Sequence, residues 1–292
     1  MGRFVFLTLS GVSYGIIYAA IALALVLIWR TTRVLNFAQG AMAMVSAYVA
    51  VAVIEATGSY WLGFVAALAS GPVIGVVVRT TAFRRAERMP ALNTIVIGVG
   101  VLVLLEAVVG MVFGIAYRDL RPSFSTKTYA VDRIALFSPQ DIFTVASVLG
   151  VVAALALVLT RTPVGLRMRA AAFAPEVARL LGVRVSRMLT LGWALAGLVG
   201  ALAGLLVIPT GLGLFPQAMD GVFVIGFTAA VVGGLDSTSG AVVGGVFTGL
   251  VLSYASGYLG SDLTQLSVLV LLLVVLLTRP RGLFSGIRER RV

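Results

Sequence analysis

Few side chains in this 292-residue sequence could do chemistry, and their types narrow what that chemistry could be. Histidine and cysteine are absent, which removes thiol nucleophiles, disulfides, imidazole acid–base pairs and His- or Cys-based metal sites. Lys127 is the only lysine, and its surroundings, RPSFSTKT, lack the glycines of a phosphate-cradling loop. No pair of carboxylates and no nucleophile–base set stands out, so catalysis is not the expectation. What remains is polar rather than reactive: Glu106 inside an apolar run, the amides Asn36 and Gln39 beside Gly40, Thr228, and Asp236 just after Gly233 and Gly234. A carboxylate at the centre of a bilayer costs about 3 kcal/mol on insertion scales, so Glu106 must be protonated, paired or in contact with water. It reads equally as the lining of a polar path and as a structural hydrogen-bonding group. Asn36 and Gln39 read as helix caps or as path lining.

The elements that hold these residues are apolar. Sixty per cent of the residues are hydrophobic and 11% are charged, a balance that suits a polytopic membrane protein. The apolar runs are unbroken rather than alternating, so the expected class is all-α: a membrane helical bundle of about eight or nine spans. The net charge of +11 would suggest a nucleic-acid partner in a soluble chain. Here the arginines cluster between apolar segments, and membrane topology accounts for them without nucleic acid.

Nine segments are legible: 4–29, 34–54, 60–78, 91–117, 139–160, 188–208, 221–235, 240–259 and 263–278. The first is too long for the core of a signal peptide and reads as a retained span. Segments 34–54 and 221–235 are marginal, and one or both read as broken or re-entrant helices. Gly71 and Pro72 suggest a kink in the third. If alternate loops share a side, one side collects Arg30 and Arg33, the arginines at 79–88, six between 161 and 187, and those of the tail. The positive-inside bias then places that side and the C-terminus in the cytoplasm and the N-terminus outside. The chain reads as one transmembrane domain over 1–292 in the cell membrane, with an external loop at 118–138 that suggests a small strand pair or an ordered flap.

The loop at 161–187 is more than topogenic charge. Pro175 suits the first turn of a helix, Glu176 favours its N-terminus, and Gly182 suits its end. The chain also suggests an internal repeat. Leu35, Asn36, Gly40 and Ala41 match Leu235, Asp236, Gly240 and Ala241 at an offset of 200, and both copies run in the same direction. Small residues four apart, at Gly11/Gly15, Gly110/Gly114, Gly200/Gly204 and Gly240/Gly244, predict close helix–helix approaches.

Three stretches together resemble the permease subunit of ATP-binding-cassette importers for branched-chain amino acids. They are LNFAQGAM after the first span, FTAAVVGGLDSTSGAVVGGVFTGL in the third quarter and RPRGLF after the last. The family's cytoplasmic coupling loop is similar to Gly165, Arg169, Ala170, Ala178 and Leu181-Gly182-Val183 here. Two departures are Gln39, where the family commonly has His, and Asp236, where it commonly has Gly. The resemblance implies a second related permease, two cytoplasmic ATPases that carry the ATP and magnesium, and an external solute-binding protein; it implies no cofactor in this chain. Urea or short amides are an alternative solute class. An ion-coupled carrier, resting on Glu106, is an alternative mechanism.

Overall fold

The computed structural model describes residues 2–87, 89–131, 134–135, 137–280 and 282–284. In order the elements are α1 (Gly2–Thr32), α2 (Gln39–Thr57), α3 (Tyr60–Val78), a π-helical turn (Arg79–Phe83), α4 (Arg84–Ala86) and α5 (Ala91–Phe113). A two-residue strand pair follows, β1 (Ala130–Val131) antiparallel to β2 (Ile134–Ala135). Then come α6 (Pro139–Arg161), α7 (Pro163–Phe173), α8 (Pro175–Leu180), α9 (Val185–Val207), α10 (Asp220–Gly233), α11 (Thr238–Leu259) and α12 (Thr264–Thr278). Among the described residues, eight helices are long and apolar enough to cross a membrane. The class is therefore the expected all-α membrane bundle, with a strand pair in the polar loop at 118–138.

Two helices form its centre. The most apolar window of α1 is 83% buried and that of α9 is 78% buried, against 11% for α5. A helix that is apolar all round and buried all round belongs in the middle of a bundle. The more exposed α3, α5, α6 and α12 surround this centre.

Hydrocarbon surroundings give apolar side chains no reason to leave the lipid, so these helices associate through close backbone contact. On α1, Gly11 and Gly15 lie against Gly249, and Ala19 lies against Gly245. Gly71 and Gly75 of α3 meet Gly197 and the Trp193 carbonyl of α9, and Gly204 of α9 meets Ala43 of α2. Gly240 and Gly244 meet Gly233 at the end of α10. Three of the four expected glycine pairs thus serve packing. Among the described residues the pair at Gly110 and Gly114 does not: a Cβ on Gly110 would meet only Ile115 and Pro216, at 3.8 and 3.9 Å, and Gly114 ends α5 with φ of 80°. The helix α3 continues through Pro72 to Val78.

On the side away from the arginine clusters, Arg118 joins three elements. Its guanidinium pairs with Glu55 at 3.0 Å and donates to the Phe113 carbonyl, while its backbone exchanges two 2.9 Å hydrogen bonds with Leu214. The ends of α2 and α5 are thereby tied to the loop between α9 and α10.

We expect Gly249→Val to destroy the α1–α11 contact, because its Cβ would meet backbone of Gly15 and Gly11. Such overpacking costs about 1–3 kcal/mol or more. The variant should lose its monodisperse peak in size-exclusion chromatography in detergent. Gly100→Val, where a Cβ has open space, should elute as the parent does.

Candidate functional site

The polar stretch at 161–187 folds into two short helices set against the ends of α6 and α9. Thr162 starts α7 by accepting the Gly165 N–H at 3.3 Å, with Pro163 in the first turn. A side chain at Gly165 would collide with the Leu159 carbonyl, so this glycine lets α7 fold back onto the last turn of α6. Arg169 donates to that same Leu159 carbonyl and so caps α6. Ala170 packs at the edge of a small cluster made by Ala171, Ala178 and Val185, which seats both short helices on the start of α9.

The second of these helices follows its sequence signals. Pro175 opens α8, Glu176 lies in its first turn and pairs with Arg179 at 2.5 Å. Gly182 ends it with φ of 79°, while Val183 N–H reaches back to the Ala178 carbonyl at 2.9 Å. The separate helix α7 is not among the expected elements, although Thr162-Pro163 is a readable start. Nor did it mark the apolar tip: Phe173, Leu180 and Leu181 are 93, 88 and 78% exposed, with Val177 beside them.

Arg79 is a further residue that charge counting does not single out. It is 2% exposed and makes two bonds to Glu87, at 2.9 and 3.0 Å, one to Thr190 Oγ1 at 2.7 Å and one to the Ser186 carbonyl at 3.3 Å. Its fork therefore fastens the end of α3 to the first turns of α9, next to the arm. Only the guanidinium's planar set of donors can satisfy so many acceptors at once.

The second place of interest lies at membrane depth. The chain at 33–38 does not continue as helix. It turns back from the end of α1 and α2 begins at Gln39, whose Nε2 donates to the Ala196 carbonyl at 3.2 Å. Ala196 is 11 residues into α9, about 16 Å along its axis. Gly40, in the first turn of α2, lies against Met219 and Phe223 at the start of α10, where an added Cβ would come within 3.1 Å of the Met219 carbonyl. Two helices thus begin side by side inside the bundle. With 14 residues, α10 is about 21 Å long, short of a full span. Beside its first turn stands Glu106, 15 residues into α5, next to Asp220 and Gln217.

The other expected path residues divide differently. Asn36 and Gln39 are buried and bonded to each other at 3.2 Å, and Asn36 Oδ1 accepts the Ala38 N–H at 3.1 Å. The N-cap of α2 is Ala38, so Asn36 stabilises the turn before the helix rather than capping it. Thr228 is fully buried, and its hydroxyl donates to the Val224 carbonyl of its own helix at 2.9 Å. Gly233, Gly234 and Asp236 lie at the other end of α10, on the arginine-rich side. There Asp236 pairs with Arg33 at 2.5 Å. The tail crosses the same place: Leu283 and Phe284 donate their N–H groups to the Val232 and Gly233 carbonyls at 2.9 and 3.2 Å.

Gly282 approaches Gly234 so closely that a side chain on it would strike the Gly234 backbone. The end of α10 at 232–234 and the tail at 282–284, far apart in the chain, are parts of one joint.

A family model described as "Branched-chain amino acid transport system / permease component" matches residues 7–278. The chain is 29% identical over 298 residues to the high-affinity branched-chain amino acid transport system permease protein LivH of Escherichia coli strain K12, covering 94% of each. It is 26% identical to the probable branched-chain amino acid transport permease protein LivH of Methanocaldococcus jannaschii, covering 94% of this chain and 90% of that one. Among solved structures, PsaBC from Streptococcus pneumoniae in complex with Fab aligns with a TM-score of 0.48 and 15% identity, over 94% of this chain and 91% of that one.

Removing the Arg79 fork by Arg79→Ala should cost about 3 kcal/mol, in the range for breaking a buried ion pair. A thermal melt of the detergent-solubilised protein reads this as a clear drop in midpoint. Arg84→Ala, at an exposed position, should melt with the parent.

Proposed function

Because the chain belongs to the family of branched-chain amino acid transport system permease components, we propose that it is the membrane-spanning subunit of an ATP-binding-cassette importer, which moves branched-chain or closely related amino acids inward. It works with a second, related permease and an external solute-binding protein. ATP and magnesium are bound by two ATPase subunits, since the only lysine of this chain lies outside any glycine-rich loop. The arginine-rich side, with the C-terminus, faces the cytoplasm, in keeping with the positive-inside rule.

The observation that carries this reading is the exposed apolar tip of the α7–α8 arm. Large apolar side chains on a polar connection outside the spans have no lipid to enter, and such a patch marks a partner surface. Phe173, Val177, Leu180 and Leu181 fit a groove on an ATPase. The arm is suited to pass on movement because both its ends are fixed. Gly165 and Arg169 hold it to α6, and the cluster of Ala171, Ala178 and Val185 holds it to α9. A push on the tip therefore reaches one peripheral and one central helix together.

The cluster of Glu106, Asp220 and Gln217 supports a path along the side of this subunit that meets the partner permease. Carboxylates at membrane depth are costly in lipid, so these partly exposed groups belong in a wet or protein-lined space. Helices that begin inside a bundle, as α2 and α10 do side by side, are a recurring way to place polar groups on such a path. Switching between outward and inward access follows ATPase closure through the arm.

Uptake of radiolabelled leucine into proteoliposomes holding the complete transporter tests this. Leu180→Asp should lower ATP-driven uptake about tenfold or more, on the scale of losing one buried interface anchor. Co-purification of the second permease should persist. Full uptake by this variant, or uptake by the parent without any ATPase under an ion gradient, would overturn the reading.

A further inference from the structure

A cavity of about 580 Å³ opens on the arginine-rich side, between the end of α1, the end of α6, α7 and the start of α11. Neither the arm nor the membrane-depth cluster explains it. Its polar half holds Arg30, Arg33, Arg169, Asp236, Thr238 and Ser239. Among the described residues three guanidinium groups face one carboxylate there, which leaves an excess of two positive charges in the lining.

The three arginines are not equally occupied. Arg33 is paired with Asp236 at 2.5 Å and lies over the Trp29 ring, 5.6 Å from its centroid. Arg169 donates to the Leu159 carbonyl. Arg30, half-buried, makes one hydrogen bond among the described residues, a long one of 3.5 Å from Nη1 to Thr238 Oγ1. A guanidinium carries five donors, so most of its capacity faces the cavity unused. Thr238 and Ser239 are the first two residues of a 22-residue helix, whose N-terminal end adds positive potential at the same spot.

The other half of the cavity is apolar, with Leu23, Leu27, Leu155 and Met168 in its walls. A small free anion has no use for that half. The cavity also lies where the spans end, at the level of the headgroups. A guanidinium fork suits phosphate oxygens, and the aliphatic wall suits the first carbons of an acyl chain.

We propose that this cavity is a binding site for the phosphodiester headgroup of an anionic phospholipid from the leaflet on the arginine-rich side. Arg30 is the principal phosphate ligand, and α1 and α6 receive the upper part of an acyl chain. Basic pockets between spans on the cytoplasmic side are suited to such headgroups. The lipid would brace the root of α7 against α1 and α11, next to the arm. The inference shares only the orientation of the chain with the transport reading. Lipid retention is measured without substrate or ATP, so each can fail while the other stands.

Native mass spectrometry of the assembled transporter, delipidated and then titrated with a short-chain phosphatidylglycerol, tests it. A phosphatidylcholine of the same chain length and inorganic phosphate serve as the other arms. We expect phosphatidylglycerol adducts to exceed phosphatidylcholine adducts, and millimolar inorganic phosphate to leave them in place. Arg30→Gln should weaken retention about tenfold, the size of one lost charge-assisted hydrogen bond. Arg84→Gln, an equal charge loss outside the cavity, should not. Ala172→Phe, which fills the cavity and keeps every charge, should also weaken retention and covers the case in which Arg30→Gln fails to assemble. Equal retention by the Ala172→Phe or Arg30→Gln variant and the parent, equal binding of both lipids, displacement by inorganic phosphate, or no adduct on the assembled complex would each overturn the proposal.

Discussion

A helix that ends buried inside a bundle leaves its last carbonyls where no water can reach them, and each unmet group costs several kcal/mol. The helix α10 stops in this way at Gly233, and the protein meets the cost with its own tail. Leu283 and Phe284 supply the two missing donors, and they can do so because Gly282 and Gly234 have no side chains to hold the strands apart. Both glycines also have positive φ, at 79° and 96°, which a residue with a Cβ adopts only under strain. Much of the arrangement on the arginine-rich side depends on that joint. Asp236, just beyond it, is where Arg33 anchors the end of α1.

From this joint the architecture can be followed upward. With α10 pinned at its lower end, its short length sets its upper end at membrane depth, beside the first turn of α2. The rings of Phe37, Phe223 and Phe227, with centroids 5.9 to 6.4 Å apart, pack together between the two elements. Asn36 and Gln39 then satisfy the turn that precedes α2. Their amides bond each other, the Ala38 N–H and the Ala196 carbonyl, which makes the interruption tolerable in the bundle. The groups left partly open at that depth are Glu106, Asp220 and Gln217, which come from α5 and from the start of α10.

Much of this was legible beforehand. Composition and segment length gave the class and the approximate number of spans, because the requirement to satisfy every backbone group in lipid leaves few alternatives. The marginal length of 221–235 flagged α10, and Pro175, Glu176 and Gly182 marked α8 nearly to the residue. Those signals are local: they depend on backbone geometry within one turn. What local signals leave out is depth. Glu106 of α5 stands beside one end of α10, and Gly233, Gly234 and Asp236 lie at the other.

What the sequence by itself determined is a membrane bundle of about eight or nine spans with an arginine-rich side and a helix-bearing loop. These follow from hydropathy, charge and turn preferences, which act along a few residues at a time. Only the tertiary structure decided that α1 and α9 are central, that Arg79 fastens α3 to α9, and that residues 282–284 close the joint at Gly233 and Gly234. Apolar helices carry no pattern that names their partners, since lipid and a neighbouring helix are equally apolar. Which small residue meets which backbone is settled by close contact in three dimensions.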